Sequence, residues 1–258
     1  MRFRTHPKLS HLLISGTIIA VVTVCALLAQ NPTDPTATPD YKSNPAALLE
    51  AYRHVEVASV SDATEQLLHQ RRFMSHSMRS ILPAKFAGTA LTVKLVKQEG
   101  ADSAALNGML EAIDKGGPGS VYVMQIEDGA DVAGMGGLMG TAMSVRGFAG
   151  AVIGGGVRDL PQLTRLGFPV YALGPVPSTA VGHYRFAAMN VPIVCDGVDV
   201  SPDDIIVADA DGVVVVPRAR AAEVLTLAQK LDNQEHSTYP FIEKFHSIVE
   251  AVKQFGRI

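Results

Sequence analysis

Between Gly134 and Asp159 the chain reads GMGGLMGTAMSVRGFAGAVIGGGVRD. Three kinds of group that hold small ions fall together there. Gly136, Gly137, Leu138 and Met139 stand at the expected start of a helix. The first amides of a helix have no intrahelical partner and can face an anion. Glycine also lets a backbone come close to a ligand. A second cluster, Gly154–Gly156, is expected as a turn at the end of an apolar strand, and Arg158-Asp159 follows it. Arg158 can hold a carboxylate through two parallel hydrogen bonds. Asp159 offers a hard oxygen to Mg²⁺, which keeps much of its water and needs few protein ligands. Ligands of open α/β sheets gather at the carboxyl ends of strands, where Asp159 is expected. This chemistry suits a small carboxylate held beside a divalent cation. Two structural readings compete with it. Asp159 can cap a helix starting at Leu160, and the glycines can serve helix–sheet packing.

The elements around these residues alternate. Pro45–His54 has helical spacing, Val55–Val60 reads as a short strand, and Ser61-Asp62 then caps a helix through Leu68. Phe86–Val96 alternates and is β-branched, which predicts a strand. Helices are expected at Ala104–Ile113, Leu138–Ser144 and Leu160–Leu166, and buried strands at Val121–Ile126, Ala149–Ile153 and Val170–Leu173. Strand–helix alternation predicts an α/β core with parallel pairs. After it comes a β-rich meander: Val191–Cys195, Val198–Val200, Ile205–Ala208 and Gly212–Val216, split by turn residues. Helices at Arg218–Lys230 and His246–Gln254 close the chain. Asp209-Ala210-Asp211-Gly212 lacks the rest of a calcium loop and reads as a tight β-turn. His183-Tyr184-Arg185 reads as a loop and Glu235-His236 as a solvated helix end.

The first residues are of another kind. Arg2, Arg4 and Lys8 precede an apolar run of 18 residues, Leu12–Ala29. That is the pattern of an export signal cut near Ala29-Gln30, or of a retained membrane anchor. Residues 30–45, rich in Pro, Thr, Asp and Ser, read as a tether. Residues 46–258 are then the folded domain, and the protein is exported to the periplasm or beyond, or anchored facing outward. The net charge of −3 and the absence of a basic stripe exclude a nucleic-acid binder. Of two cysteines, Cys25 lies in the leader, so Cys195 has no internal disulfide partner and reads as a buried small hydrophobe. No spacing for a zinc site occurs.

Taken in order, several stretches resemble the family that joins class II 4-hydroxy-4-methyl-2-oxoglutarate aldolases with the regulator of ribonuclease activity A. They are GGLMGTA at Gly136–Ala142, RGFAGAVI at Arg146–Ile153, Gly155 to Arg158-Asp159, LGFPV at Leu166–Val170, and PDDIIVADADGVVVVP at Pro202–Pro217. The likeness covers roughly Ala47–Gln234. It implies a swivelling β/β/α fold with a mixed sheet, assembled as homotrimers or hexamers with sites at subunit interfaces. It implies a divalent cation, Mg²⁺ or Mn²⁺, and retro-aldol cleavage of 4-hydroxy-2-oxo acids to pyruvate, with oxaloacetate decarboxylation. Carried over, Asp159 is the metal ligand, Arg158 binds substrate, and the amides of Gly136, Gly137, Leu138 and Met139 hold the pyruvate carboxylate. The chain departs from the family's pattern at Gly137, where an acidic residue is usual, and at Gly154, where Asp is frequent. Glu127, Asp128, Asp131 or a neighbouring subunit's copy of Glu235 are candidates to compensate. The export signal is a further departure. A non-catalytic regulatory binder, or an exported binder of 2-oxo acids, is the alternative to a lyase.

Overall fold

Four strands run parallel through the centre: β2 (Phe86–Ala101), β3 (Ser120–Ile126), β5 (Gly150–Val157) and β6 (Val170–Pro175), side by side in that order. The structure is a computed structural model describing residues 41–256. The export segment expected at 1–29, and the tether through residue 40, lie outside the described residues. Apolar runs such as VYVMQI suit strands covered on both faces. The connections between them carry α3 (Asn107–Lys115), α4 (Gly137–Val145) and α5 (Leu160–Leu166).

Antiparallel strands extend this ladder. β1 (Arg79–Leu82) pairs with β6, and β10 (Ile205–Asp209) pairs with β2 and with β11 (Gly212–Val216). β4 (Ala133–Met135) joins the end of β5, and β7 (Gly182–Met189) joins the far half of β2. The result is one mixed sheet of nine strands. A separate hairpin is formed by β8 (Ile193–Cys195) and β9 (Val198–Val200).

Alternation along the strands divides the core into three. Val93, Leu95, Tyr122, Met124 and Ile153 face α3–α5. Their neighbours Ala90, Val121, Val123 and Val152 pack against Ile206, Ala208, Val213 and Val215 of β10–β11 and against the β8–β9 hairpin. β10 both pairs with β2 and packs over the opposite face, so the sheet curls on itself. The outer residues Ile205, Val207, Val214 and Val216 meet α1 (Pro45–Arg53), α2 (Val57–Leu68) and α6 (Ala221–Phe245). No helix of the described residues is long and apolar enough to cross a membrane.

The expected strand at Val55–Val60 is a helix instead. Its buried residues Val57, Val60, Ala63 and Thr64 recur every three or four positions, so tertiary burial overrides the β preference of valine. The helix starts ahead of Ser61-Asp62 because remote carboxylates cap it. Asp232 Oδ1 accepts from the Glu56 N–H and Asp209 Oδ2 from the Val57 N–H, both at 3.0 Å. Glu56 is 176 residues from its acceptor, so no local motif announces the cap. His183–Arg185 is not a loop but part of β7, with Tyr184 turned inward. Glu235-His236 lies inside α6, which continues past Pro240 to Phe245. Phe241 stacks on Phe245 and meets Phe255 of α7 (Ile248–Phe255), with ring centroids 4.5 and 5.7 Å apart, and this packing carries the helix beyond the proline. Tyr41, assigned to the tether, packs half-buried against the α1–α2–α6 core. Cys195 is buried, and burial pushes its thiol up to about 12, as an inert core residue requires. Asp209→Ala leaves the α2 amide unsatisfied. Urea denaturation should show a loss of about 1–3 kcal/mol at unchanged m.

Candidate functional site

The chain leaves β5 at Val157, passes Arg158 and Asp159, and enters α5 with proline in its first turn. Asp159 adopts φ +59° and ψ +40°, the left-handed region that few non-glycine residues enter. It occupies the N-cap position of α5, yet its side chain makes no bond to that helix. Its Oδ2 accepts the Gly137 N–H at 2.9 Å. The carboxylate therefore caps the neighbouring helix α4, where the helix dipole favours negative charge. The expected cap of α5 is thereby corrected: the carboxylate caps the helix that carries the glycine cluster instead.

The same bond corrects the expected anion site. Gly137 N–H is occupied by the protein's own carboxylate. Gly140 N–H is bonded to Gly136 O, so the amides of Leu138 and Met139 are those left without an intrahelical partner. Gly136 is extended, and a Cβ there would stand 2.6 Å from Asp159 Oδ2. A Cβ on Gly137 would stand 2.9 Å from Gln162 Cγ. Gln162 Nε2 donates to Thr141 Oγ1 at 3.1 Å, Thr141 Oγ1 donates to Gly137 O at 2.7 Å, and Gln162 Oε1 accepts from Arg165. Gln162 thus fills the space above the start of α4.

Gly154–Gly156 form no turn; they lie inside β5. A Cβ on Gly154 would meet Met124 O at 2.9 Å, and one on Gly155 would meet Gly129 O at 2.8 Å. Gly155 and Gly156 let the 129–132 loop close against β5, with Gly156 N–H donating to Val132 O at 2.7 Å.

Arg158 Nη1 donates to Ser178 O at 3.1 Å. Ser178 Oγ in turn donates to Asp131 O and accepts the Ala133 N–H, at 2.9 and 3.0 Å. Arg158 Nε lies 4.0 Å from Asp159 Oδ2, with the two side chains 44 and 53% exposed. A pair so exposed contributes little energy, so the Ser178 carbonyl is what orients the guanidinium. Arg158, Asp159, Val157, Leu160 and Pro175–Pro177 line an open cleft of about 450 Å³.

A divalent cation suits the donors present only in one form. Among the described residues no group of three or more His, Cys, Asp or Glu is arranged to hold a metal. No described residue bonds Asp159 Oδ1. One carboxylate oxygen at a cleft fits a cation that keeps most of its water, as Mg²⁺ does, and not a fully protein-caged ion.

The residues expected to compensate for Gly137 are engaged elsewhere. Glu127 Oε2 accepts the Lys97 N–H, and Asp128 Oδ2 pairs with Lys97 Nζ at 2.9 Å, which raises the Lys97 ammonium above its ordinary value. Both line a different cleft, with Gly154 and Asp196. Asp131 enters the site through its backbone, not its carboxylate. Glu235 bonds Tyr239 within α6. His236 Nδ1 donates to Asp232 O, and His183 pairs with Glu99 on the surface. Gln162 and Ser178 are site residues that sequence reasoning missed. Gln162 is three residues after Asp159, on the first turn of α5, which was a readable signal; Ser178 carried none.

With this geometry in place the kinship is clear. The sequence model of the RraA-like family (Aldolase/RraA) matches residues 57–215. The chain belongs to that family. A relative from Halalkalibacterium halodurans, whose provisional name is 4-hydroxy-4-methyl-2-oxoglutarate aldolase, is 30% identical over 184 residues, covering 69% of this chain and 80% of that protein. Among solved structures, an uncharacterized protein from Pseudomonas syringae pv. tomato superposes with TM-score 0.74 at 27% identity, covering 86% of this chain and 100% of that one. Streptomyces coelicolor RraAS2, described as an unusual member of the RNase ES inhibitor RraA family, superposes with TM-score 0.68 at 28% identity, over 80 and 99% of the two chains.

Crowding above Gly137 has a measurable consequence. Gly137→Asp should destabilise the protein by about 1–3 kcal/mol, and Gln162→Ala in the same chain should recover most of it in chemical denaturation. Equal stability of Gly137→Asp and the parent would show that Gln162 yields freely.

Proposed function

We propose that this protein is a divalent-metal-dependent carbon–carbon lyase. It cleaves 4-hydroxy-2-oxo acids of the 4-hydroxy-4-methyl-2-oxoglutarate type to pyruvate by retro-aldol reaction, and decarboxylates oxaloacetate. One observation carries this reading: a strained backbone presents the Asp159 carboxylate beside Arg158, at the start of α4 and at the carboxyl end of β5. The name of the Halalkalibacterium halodurans relative points the same way.

Retro-aldol cleavage breaks the C3–C4 bond and moves its electron pair toward the 2-oxo oxygen while the 4-hydroxyl gives its proton to water and becomes a carbonyl; the enolate then takes a proton from water at C3. Decarboxylation of oxaloacetate moves an electron pair to the same place. Positive charge near that oxygen lowers both barriers. Arg158, held by the Ser178 carbonyl, supplies it. The amides of Leu138 and Met139 donate to the substrate carboxylate at the positive end of α4. Asp159 would hold the cation, with its Oδ2 kept on the Gly137 N–H. The cation, Mg²⁺ or Mn²⁺, supplies Lewis acidity to the 2-oxo acid. No lysine lies in the Gly134–Asp159 segment to form a Schiff base.

A homotrimer or hexamer agrees with the outer face of α4. Leu138 is 90% exposed and Val145, seven residues on, 83% exposed on the same side. Two large apolar residues bare beside the site support a second copy packing there. The basic residues and apolar run of the first 29 positions support export or outward anchoring.

The test is a coupled pyruvate-release assay on the full chain with Mg²⁺ or Mn²⁺ and several 2-oxo acids. Arg158→Ala should lower kcat/KM by about 10²–10³-fold, and Asp159→Ala should abolish turnover. Full activity in Asp159→Ala would remove the residue from the site. Pyruvate binding without turnover in the parent chain would instead assign a binding protein.

A further inference from the structure

Of the α4 amides without an intrahelical partner, that of Leu138 has a line of hydrogen bonds behind it. In a trans peptide the N–H and C=O of one unit point opposite ways. The Leu138 N–H therefore shares its plane with the Gly137 carbonyl and faces away from it. That carbonyl accepts from Thr141 Oγ1 at 2.7 Å. Thr141 Oγ1 accepts from Gln162 Nε2 at 3.1 Å, and Gln162 Oε1 accepts from Arg165 Nη2. The chain of bonds thus runs from the last turn of α5 to the first turn of α4.

Its direction follows from the groups themselves. A guanidinium only donates, so the Gln162 atom that meets Arg165 is the oxygen. The other end of the side chain is then the NH₂, which also only donates. Thr141 Oγ1 accepts from it and gives its own proton to Gly137 O. Every bond points the same way, and bonds aligned in this manner polarise one another. The last donor in the series is the Leu138 N–H. Gln162 is seated for the task from two sides. Its backbone N–H donates to Asp159 O at 3.0 Å, and its Cγ occupies space that a Cβ on Gly137 would contest at 2.9 Å. The room an acidic side chain would need at 137 is given to a neutral donor relay.

We infer that Gln162 and Thr141 are positioning residues for substrate binding. Acting through the Gly137 carbonyl, they orient and strengthen the Leu138 N–H as a donor to the carboxylate of a 2-oxo acid. The effect falls on affinity and not on bond cleavage, because that carboxylate carries the same charge before and after the C3–C4 bond breaks. This role rests on the lyase reading, which brings the carboxylate to α4.

Nuclear magnetic resonance of the ligand-free protein and pyruvate calorimetry with Mg²⁺, both on the full chain, test it. Thr141→Val keeps the shape and removes the hydroxyl. It should move the Leu138 ¹⁵N resonance upfield by more than that of Met139, and weaken pyruvate binding about two- to fourfold. Thr141→Ser keeps the hydroxyl and should give the parent's resonance and Kd. Gln162→Met keeps the cover over Gly137 without the donor. It should weaken pyruvate binding in the parent chain and add nothing in the Thr141→Val background, since it acts through that hydroxyl. In the pyruvate-release assay the loss should lie in KM, with kcat within about twofold. Parent-like pyruvate binding in Thr141→Val, or additive losses in the double variant, would overturn the relay and leave the lyase reading standing. A parent protein that binds no 2-oxo acid would overturn both.

Discussion

One hydrogen bond organises the functional end of this molecule: Gly137 N–H to Asp159 Oδ2, 2.9 Å. It joins the first residue of α4 to the junction of β5 and α5. Asp159 makes it from the left-handed region, and a Cβ at 136 would strike the Asp159 carboxylate while one at 137 would crowd Gln162. The strain at Asp159 costs on the order of 1–3 kcal/mol, and the capping bond with the helix dipole offsets part of it. The outcome is a carboxylate committed to the fold through one oxygen, on a residue that lines the cleft.

The parallel ladder makes this placement possible. Because β3, β5 and β6 run the same way, their carboxyl ends deliver the 127–132 loop, Arg158-Asp159 and the 175–181 segment to one edge. Gly155 and Gly156 of β5 then remove side chains that would press on the carbonyls of Gly129 and Val132 and hold that loop away. Ser178 fastens the third segment to the first through Asp131 and Ala133, and to the second through Arg158. Arg158 consequently has a fixed place in the wall of the cleft it lines with Asp159.

The alternating core was legible because each of its strands is a short apolar run bounded by glycine or turn residues, and each helix begins or ends at such a residue. Leu160–Leu166, closed by Gly167 in the left-handed conformation, is the clearest case. Legibility failed where the deciding partner is far away in sequence. Val55–Val60 carries the composition of a strand, and only the cores of β10–β11 and α6, with Asp209 and Asp232, make it a helix. His183–Arg185 has one inward residue in three, too few to show a period, and becomes a strand by pairing with β2. At the site, the residue types were readable but their partners were not. Asp159 bonds across to Gly137, Glu127 and Asp128 turn to Lys97, and Gln162 closes over Gly137, all contacts that span elements.

Membership of the RraA-like family accounts for the fold and the ordered glycine, Arg158-Asp159 and PDDIIVADADG segments. The chain's own feature, Gly137 roofed by Gln162, sets it apart in chemistry from a site with two acids. The central claim is that Asp159 alone anchors the cation. Water-proton relaxation during a Mn²⁺ titration, with pyruvate present, tests it most directly. One site per chain in the parent protein, lost in a folded Asp159→Asn variant, is the result predicted here. Equal Mn²⁺ binding in the two proteins would contradict it.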